Sequence, residues 1–446
     1  VPINPDLRAA EIEYMIGHSD MCAAVVIPSR RKDVEDAAKS AGRAVPLIDV
    51  DGTPAPLAAR PEPVQPTSDT ECALLYTSGT TGKPKGCVLA NEYFHVCGDW
   101  YANTGGMIAL RKNCERMITP LPLFHMNAMA CSTAGMLSVA GCLTFVDRFH
   151  PKSWWNSVRE SRSTVLHYLG VMPAMLMAAP ESPSDKLDNI RFGFGAGVDR
   201  LLHEPFEKRF GFPLIEAWAM TETGSGAVIS AHEEPRHIGS NCFGRATPDV
   251  ETRVVLEDGS DAPADTPGEL LVRRAGANPR FGFFREYLKD PQATAEAWEG
   301  GWFHTGDVVR RAADGSFHFV DRRKNVIRRS GENISAVEVE SVLQRHPAIK
   351  QVACVATPDA VRGDEVLALI VPNETPADEA ALAREIAEFC LTRLAYYKAP
   401  GWTAFVPSIP LTGTQKIQRG ALKQLAQECM QSGHCQDTRA LKKRSA

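Results

Sequence analysis

Between residues 73 and 218 the chain alternates short apolar runs with helix-length segments, and this alternation restricts the fold more than any other feature. The runs at 73–76, 142–146, 164–168 and 214–218 are each four or five residues long. Strand-length apolar runs separated by helical stretches predict a parallel or mixed sheet covered by helices. A chain of 446 residues also exceeds what one ordinary core organises, so two or more domains are expected. Residues 1–50 add an amphipathic helix over 7–16 and an apolar strand over 23–27, and the Pro-rich stretch 54–66 reads as a linker. Helix and strand alike read as internal elements that need earlier elements to cover them, so an apolar patch is expected near residues 1–50. From 250 to 320 the segments VETRVVLEDGS, GELLVRR and GSFHFVD predict short antiparallel strands joined by Gly/Asp turns. Beyond Asp321 a smaller α/β region is expected, with helices over 336–345 and 376–394 and strands near 351–356 and 366–372.

Charge and cysteine usage exclude several classes. Lys plus Arg number 49 against 54 Asp plus Glu, a net charge of −5, which leaves no electrostatic footprint for nucleic acid. The twelve cysteines are scattered without a C-x-x-C pair, so neither a zinc ribbon nor a dithiol redox site is indicated, and small buried residues in a reducing cytoplasm are expected. Cys429, His434 and Cys435 near the end form a weak metal-ligand candidate. Residues 117–146 carry no Asp, Glu, Lys or Arg, but Pro120, Pro122, His125, Asn127 and Ser132 interrupt them. A buried strand, loop and helix is predicted there, not a transmembrane segment. No signal peptide is evident, and the final LKKRSA reads as a solvated tail.

The most specific local signal is YTSGTTGKPKG at 76–86. Its glycines, Gly79, Gly82 and Gly86, allow tight turns that aim backbone N–H groups at phosphate oxygens. Thr77, Ser78, Thr80 and Thr81 add hydroxyl donors, while Lys83 and Lys85 add positive charge. It is not a Walker loop, because only two residues separate Gly79 from Gly82 and a proline follows Lys83.

This string resembles the phosphate-binding signature of the adenylate-forming superfamily, which includes acyl-CoA synthetases, luciferases and peptide-synthetase adenylation domains. Further matches follow in that family's order: LPLFH at 121–125, WAMTE at 218–222, GWFHTGD at 301–307, DRRK at 321–324 with SGENI at 330–334, and PLTGTQKIQR at 410–419. Within the superfamily, 319–338 is most similar to carnitine/crotonobetaine-CoA ligases. The resemblance implies a large multilayer α/β N-terminal domain with a small β-barrel over 1–321, lacking its first segment. It also implies a small mobile α/β C-terminal domain over 322–428, followed by a flexible tail at 429–446. The implied reaction forms an acyl-AMP from a carboxylic acid and ATP, then an acyl-CoA thioester, in the cytoplasm. ATP, Mg2+ and coenzyme A are the cofactors, and the oligomeric state, a homodimer included, is left open.

The implied roles are chemically coherent. A carboxylate attacking the α-phosphate brings two anions together, so positive charge is needed where charge develops, and Lys416 is the candidate. Glu222 and Thr77 are candidate Mg2+ ligands, since Mg2+ takes a few oxygen ligands plus phosphate. Thr221 can reach the α-phosphate, Asp307 the two ribose hydroxyls with support from Arg322, and Trp218 can offer a face to adenine. The Gly195-Ala196-Gly197 loop allows close approach of the nucleotide. Lys324 is the expected hinge, and Ser330, Gly331 and Glu332 are expected near coenzyme A. His125, Asn127, Ala219 and Gly224 are expected around the acyl group.

Taken alone, His125 and Trp218 read as core residues, Asp307 as a turn residue and Lys416 as a solvated lysine; only the ordered set points to a site. Two departures from the family pattern stand out. Ala219 replaces the usual glycine and narrows the acyl passage, and Gln415 replaces the glycine before Lys416. Ala219, together with polar groups at His125 and Asn127, predicts a short or compact polar acid, while Gln415 is expected to stiffen the loop before Lys416. The alternatives are a ligase that loads a carrier protein and a non-catalytic ATP-binding paralogue. The FHMN sequence at 124–127 lacks the acidic anchor of amino-acid activators, and Lys416, Glu222 and Asp307 argue against a catalytically inert protein.

Overall fold

The computed structural model describes residues 1–5, 7, 9–52, 65–77, 84–322, 325–329, 332–359, 362–411 and 417–442. The chain divides into two compact units, one of residues 1–252, 271–304 and 315–317, the other of 253–270, 305–314 and 318–446.

The alternating region forms a six-stranded sheet at the centre of the first unit. Its order is Ile229–Ser230, Leu214–Trp218, Phe192–Ala196, Val165–Leu169, Arg116–Thr119, Cys142–Phe145. All neighbours pair in parallel except the first, which is antiparallel. The strands are apolar on both sides because both sides are covered. Ile118, Leu166 and Leu214 pack with Trp154, Val158, Met172, Leu176, Phe206 and Phe210 on one face. Their sequence neighbours Met117, Val165 and Ile215 pack with Tyr101, Ile108 and Met136 on the other. The uncharged segment 117–146 resolves as expected into a strand, a π-helical turn (Asn127–Ser132), the helix Thr133–Ser138 and a further strand. Among the described residues no helix is long and apolar enough to cross a membrane.

A second, antiparallel sheet joins Glu71–Thr77 to Lys85–Ala90 and that strand to Glu286–Tyr287. Near the start, Ala24–Val26 and Leu47–Asp49 make a two-stranded parallel sheet. The helix Ala9–Ser19 buries Ile12 and Ile16 against Ala37 and Ala38, so its apolar stripe is covered from within the chain. The apolar exposure of this region lies instead at Val25, Ile27 and Val50.

The strands expected between 250 and 320 appear as Val250–Val255, Gly268–Arg274, Phe303–Arg311 and Phe317–Arg322. In the second unit Ile349–Asp359 and Gly363–Pro372 pair antiparallel, and Trp402–Phe405 lies parallel to the latter. The helices Ala336–Leu343 and Glu379–Leu391 pack on one face through Val339, Leu343, Ile386 and Cys390. The helix Arg419–Gln431 packs on the other through Leu422 and Ala426.

Residues 429–442 are tied to the rest of the second unit. Gln436–Asp437 pairs antiparallel with Trp402–Thr403, and the Thr438 hydroxyl donates to the Pro400 carbonyl at 2.8 Å. The Lys442 side chain is fully buried against Glu365, whose other oxygen accepts from Arg329 at 2.8 Å. A lysine at the chain end looks solvated in sequence; here a buried carboxylate between two cations holds it inside. All twelve cysteines are free, and Cys87, Cys97, Cys131, Cys242, Cys354 and Cys390 are buried. No His/Cys/Asp/Glu cluster suited to a metal occurs among the described residues, so Cys429, His434 and Cys435 do not make one.

Candidate active site

The hairpin that carries the glycine-rich string sets the first part of the site. Glu71–Thr77 and Lys85–Ala90 pair with Thr77 opposite Lys85, so these two residues flank the loop at its base. Ser78, Gly79, Thr80, Thr81, Gly82 and Lys83 themselves lie outside the described residues. On the far side of Lys85–Ala90, Tyr287 pairs with Cys87, and the Lys85 ammonium lies 4.6 Å from the centre of the Tyr287 ring.

The turn after Leu214–Trp218 brings in the second part. Glu222 is buried, and its carbonyl accepts from the Phe284 N–H at 2.9 Å. Its Oε1 accepts from the Tyr287 hydroxyl at 3.0 Å and from the Thr77 hydroxyl at 3.5 Å. Thr77 and Glu222, 145 residues apart, are thus neighbours. A hydroxyl and a carboxylate beside this hairpin are an oxygen donor set that suits Mg2+. Burial and the Glu222 carboxylate push the Tyr287 phenol well above the usual tyrosine range, so it stays a donor. Burial, reinforced by Glu222, likewise raises the Cys87 thiol, which remains protonated and packed. Thr221 is held by its carbonyl, which accepts from Tyr93 at 3.0 Å.

The third part lies at the carboxyl ends of the parallel strands, where open α/β sheets bind ligands. Gly195 and Ala196 end the strand Phe192–Ala196, and Gly197 turns away with φ of 82°. A Cβ on Gly195 would come within 2.2 Å of the Tyr168 carbonyl oxygen, so only glycine fits there. Glu216 holds this loop in place. Its carboxylate accepts from the Gly197 N–H at 2.8 Å, the Val198 N–H at 3.2 Å and the Tyr168 hydroxyl at 2.7 Å. Burial raises the Glu216 carboxyl, although these donors act against the shift. Trp218 ends its own strand and is buried with Phe243, ring centres 6.3 Å apart.

The residues expected around the acyl group are placed unevenly. Asn127 begins the π-helical turn, a feature often associated with functional sites, and His125 lies two residues before it. The Asn127 Oδ1 lies 2.7 Å from His167 Nδ1. Ala219 is half-buried, whereas Gly224 is buried with φ of 49°, and a Cβ there would meet the Tyr93 ring at 2.4 Å. Gly224 therefore accommodates Tyr93.

The second unit holds the expected ribose pair together. Asp307 is buried, and the Arg322 Nε lies 2.6 Å from its Oδ1 as an ion pair. Gly306, at φ of 66°, donates to Glu269 at 3.1 Å, and the Asp307 N–H donates to the Thr305 hydroxyl at 3.0 Å. The bend expected from T-G-D is thus built into a strand, and it orients the aspartate. Lys324, Ser330, Gly331 and Lys416 lie outside the described residues, as does the Glu332 side chain. The flanks of Lys416 are pinned: Leu411 bridges to Ile417, and Arg419 binds Glu340 through two nitrogens at 2.9 and 3.1 Å.

Three contributors were missed from sequence: Glu216, Tyr287 and His167. Glu216 could have been found, since a lone carboxylate inside the apolar run LIEAW must meet donors when buried. Tyr287 carries no such signal, because its partner is distant in sequence.

Comparison with known proteins shows the family. Residues 1–287 match the model of the AMP-binding enzyme family, and residues 338–416 match that of the AMP-binding enzyme C-terminal domain. A crotonobetaine/carnitine–CoA ligase of Salmonella heidelberg is 32% identical over 363 residues, covering 81% of this chain and 68% of the relative. One of Escherichia fergusonii is 30% identical over 443 residues, covering 95% and 83%. Among solved structures, o-succinylbenzoate CoA synthetase of Bacillus subtilis with its acyl-adenylate intermediate aligns with a TM-score of 0.79 at 25% identity, covering 94% of this chain and 82% of that one. The same enzyme with ATP and magnesium ion aligns with a TM-score of 0.78.

Proposed function

This chain belongs to the AMP-binding enzyme family, and from that premise we propose that it activates a short or compact polar carboxylic acid. It is an AMP-forming acyl-CoA ligase that uses ATP, Mg2+ and coenzyme A. The observation that carries the reading of the site is the meeting of Thr77 and Glu222 beside the hairpin of the glycine-rich loop.

In this reading Thr77 and Glu222 hold Mg2+, which when bound supplies positive charge to the phosphates. The hairpin and Lys85 receive the phosphates. The Gly195-Ala196-Gly197 loop, braced by Glu216, and Trp218 border the adenine, and Asp307 with Arg322 takes the ribose. Lys416 offsets the repulsion between carboxylate and α-phosphate, assisted by Thr221. The carboxylate oxygen bonds to the α-phosphorus and pyrophosphate leaves; the thiol of coenzyme A then displaces AMP. We assign the hinge to Lys324, the approach of coenzyme A to Ser330, Gly331 and Glu332, and the work to the cytoplasm. The domains follow as 1–321 and 322–428.

The substrate class rests on three residues. Ala219 carries a methyl group next to Trp218, and even one methyl group in a packed wall forces a clash or an off-rotamer neighbour. His125 and Asn127 are polar groups suited to a polar substituent on the acid. The relatives named for crotonobetaine and carnitine support small polar acids such as betaines.

The test is ATP–pyrophosphate exchange and thioester formation across a chain-length series at saturating ATP and coenzyme A. Efficiency should fall steeply beyond medium chains, and Ala219→Gly should move the optimum longer. A preference for palmitate over butyrate-sized acids would overturn the proposal. Product formation on a carrier protein but not on coenzyme A would reassign the acceptor.

A further inference from the structure

We propose that Tyr287 is a positioning residue for Mg–ATP, its hydroxyl fixing one oxygen of Glu222 so that the other is presented to the metal. The proposal rests on the reading of Glu222 as a metal ligand.

A glutamate has three rotatable side-chain bonds, so a lone ligand of this type must lose conformational freedom each time the metal binds. Glu222 is held before that. Its backbone is tied by the Phe284 N–H, and its Oε1 takes both the Tyr287 and the Thr77 hydroxyls. With both hydroxyl donors on one oxygen, Oε2 has no hydroxyl donor among the described residues. A phenol donating to a carboxylate is a charge-assisted hydrogen bond, stronger than a neutral one.

Tyr287 can do this because its own position is over-determined. Its backbone pairs with Cys87 in the strand that carries Lys85, and its N–H donates to the Thr294 hydroxyl at 3.0 Å. Thr294 in turn donates to the Asp290 carbonyl at 2.9 Å. Asp290 caps the helix Pro291–Ala297 by accepting from the Ala293 N–H at 2.9 Å. The ring packs against Phe284, centres 4.8 Å apart, and lies beneath the Lys85 ammonium at 4.6 Å. One side chain therefore touches a lysine at the base of the phosphate loop and the carboxylate opposite it. The distance between those two charges is set by a rigid aromatic ring rather than by two flexible stems. Attraction of the ammonium to the ring face keeps Lys85 directed over it.

Tyr287→Phe keeps the ring, its contact with Phe284 and the face under Lys85, and removes only the hydroxyl. Two quantities separate positioning from folding. One is the affinity for Mn2+, followed by electron paramagnetic resonance in the presence of an ATP analogue whose phosphates cannot be transferred. The other is the affinity for the same analogue with all divalent metal chelated. The expected result is metal binding weakened about tenfold, equivalent to about 1.4 kcal/mol, with metal-free analogue binding and melting temperature nearly unchanged. The Mg2+ concentration giving half-maximal activity should rise by a similar factor. Glu222→Gln, measured alongside, should lose most metal binding. If Glu222→Gln loses the metal and Tyr287→Phe does not, the tyrosine has no positioning role while the glutamate keeps its own. If Glu222→Gln binds Mn2+ like the parent, Glu222 is not a ligand and both readings fall. If Tyr287→Phe weakens metal-free and metal-dependent binding equally, the effect is on the pocket as a whole and the proposal is overturned.

Discussion

His167 illustrates how much a single buried side chain decides. It is fully buried on the strand Val165–Leu169, and burial lowers its pKa to about 3. The ring is therefore neutral, and its tautomer follows from its partners. The Asn127 Oδ1 can only accept, so Nδ1 carries the proton, and Nε2 accepts from the Tyr101 hydroxyl at 2.9 Å. The Ser132 hydroxyl, which donates to the Asn127 carbonyl at 3.1 Å, shares Nδ1 at 2.9 Å. This lock orients the Asn127 amide in the π-helical turn. It also makes stability depend on pH. In the unfolded chain a histidine takes up a proton near pH ~6.5, whereas here it does so only near 3. The stabilisation is complete above ~6.5 and is lost as pH falls toward 3, at up to about 1.4 kcal/mol per pH unit. Between ~6.5 and ~5 most carboxylates stay ionised, so the histidine stands out. Urea unfolding at pH 7 and pH 5 should show that fall in the parent and a shallower one in His167→Asn. Equal slopes would mean that another group governs this window.

At the scale of elements, strand ends carry more of the site than strand interiors. Gly195 shows why. Its neighbour across the sheet, Tyr168, has its carbonyl oxygen where a Cβ would stand, at 2.2 Å, and its hydroxyl on Glu216. The strand Leu214–Trp218 thus supplies an apolar core pair, Leu214 and Ile215, and a polar brace, Glu216, within three residues. Gly195→Ala should cost about 1–3 kcal/mol of stability, the usual range for overpacking. Because the displaced backbone carries the Gly195-Ala196-Gly197 loop, affinity for ATP should fall as well. Thermal unfolding and nucleotide titration of the same preparation check both. An alanine variant as stable as the parent, with parental ATP affinity, would show that the strand end yields without consequence.

For the whole molecule the question is how one adenylate is served in two half-reactions. The proposal that the region after 321 presents different groups in each step makes two opposite predictions. Lys416→Ala should reduce acyl-AMP formation by on the order of 10²–10³-fold, the scale for losing a preorganised charge at a developing anion. It should leave thioester formation from supplied acyl-AMP largely intact. Lys324→Pro should do the reverse, since proline fixes φ near −65° and restrains a pivot. Adenylation should survive in part while thioester formation is largely lost. Rapid-quench measurement of each half-reaction separates the two. Parallel loss of both steps in folded Lys416→Ala would refute the division of labour, and unchanged turnover in Lys324→Pro would move the pivot elsewhere.

The amino-acid sequence by itself determined the layered α/β class, because strand-length apolar runs such as 214–218 can be stable only when covered on both faces. It determined the uncharged 117–146 segment as strand, turn and helix, since prolines and polar residues interrupt a span that would otherwise suit a membrane. Its ordered strings also pointed to the reaction, through their resemblance to the adenylate-forming superfamily. The resemblance paired Thr77 with Glu222, but other long-range contacts were beyond the sequence. Nothing local in Tyr287 announces Glu222, and nothing in Asn127 announces His167; these contacts join residues 65 and 40 positions apart. The chain end shows the same limit most plainly. Lys442 reads as a solvated lysine, yet the tertiary structure buries it with Glu365 and Arg329. A charge is stable in an interior only where an opposite charge is already placed to receive it, and that placement is a property of the folded chain alone.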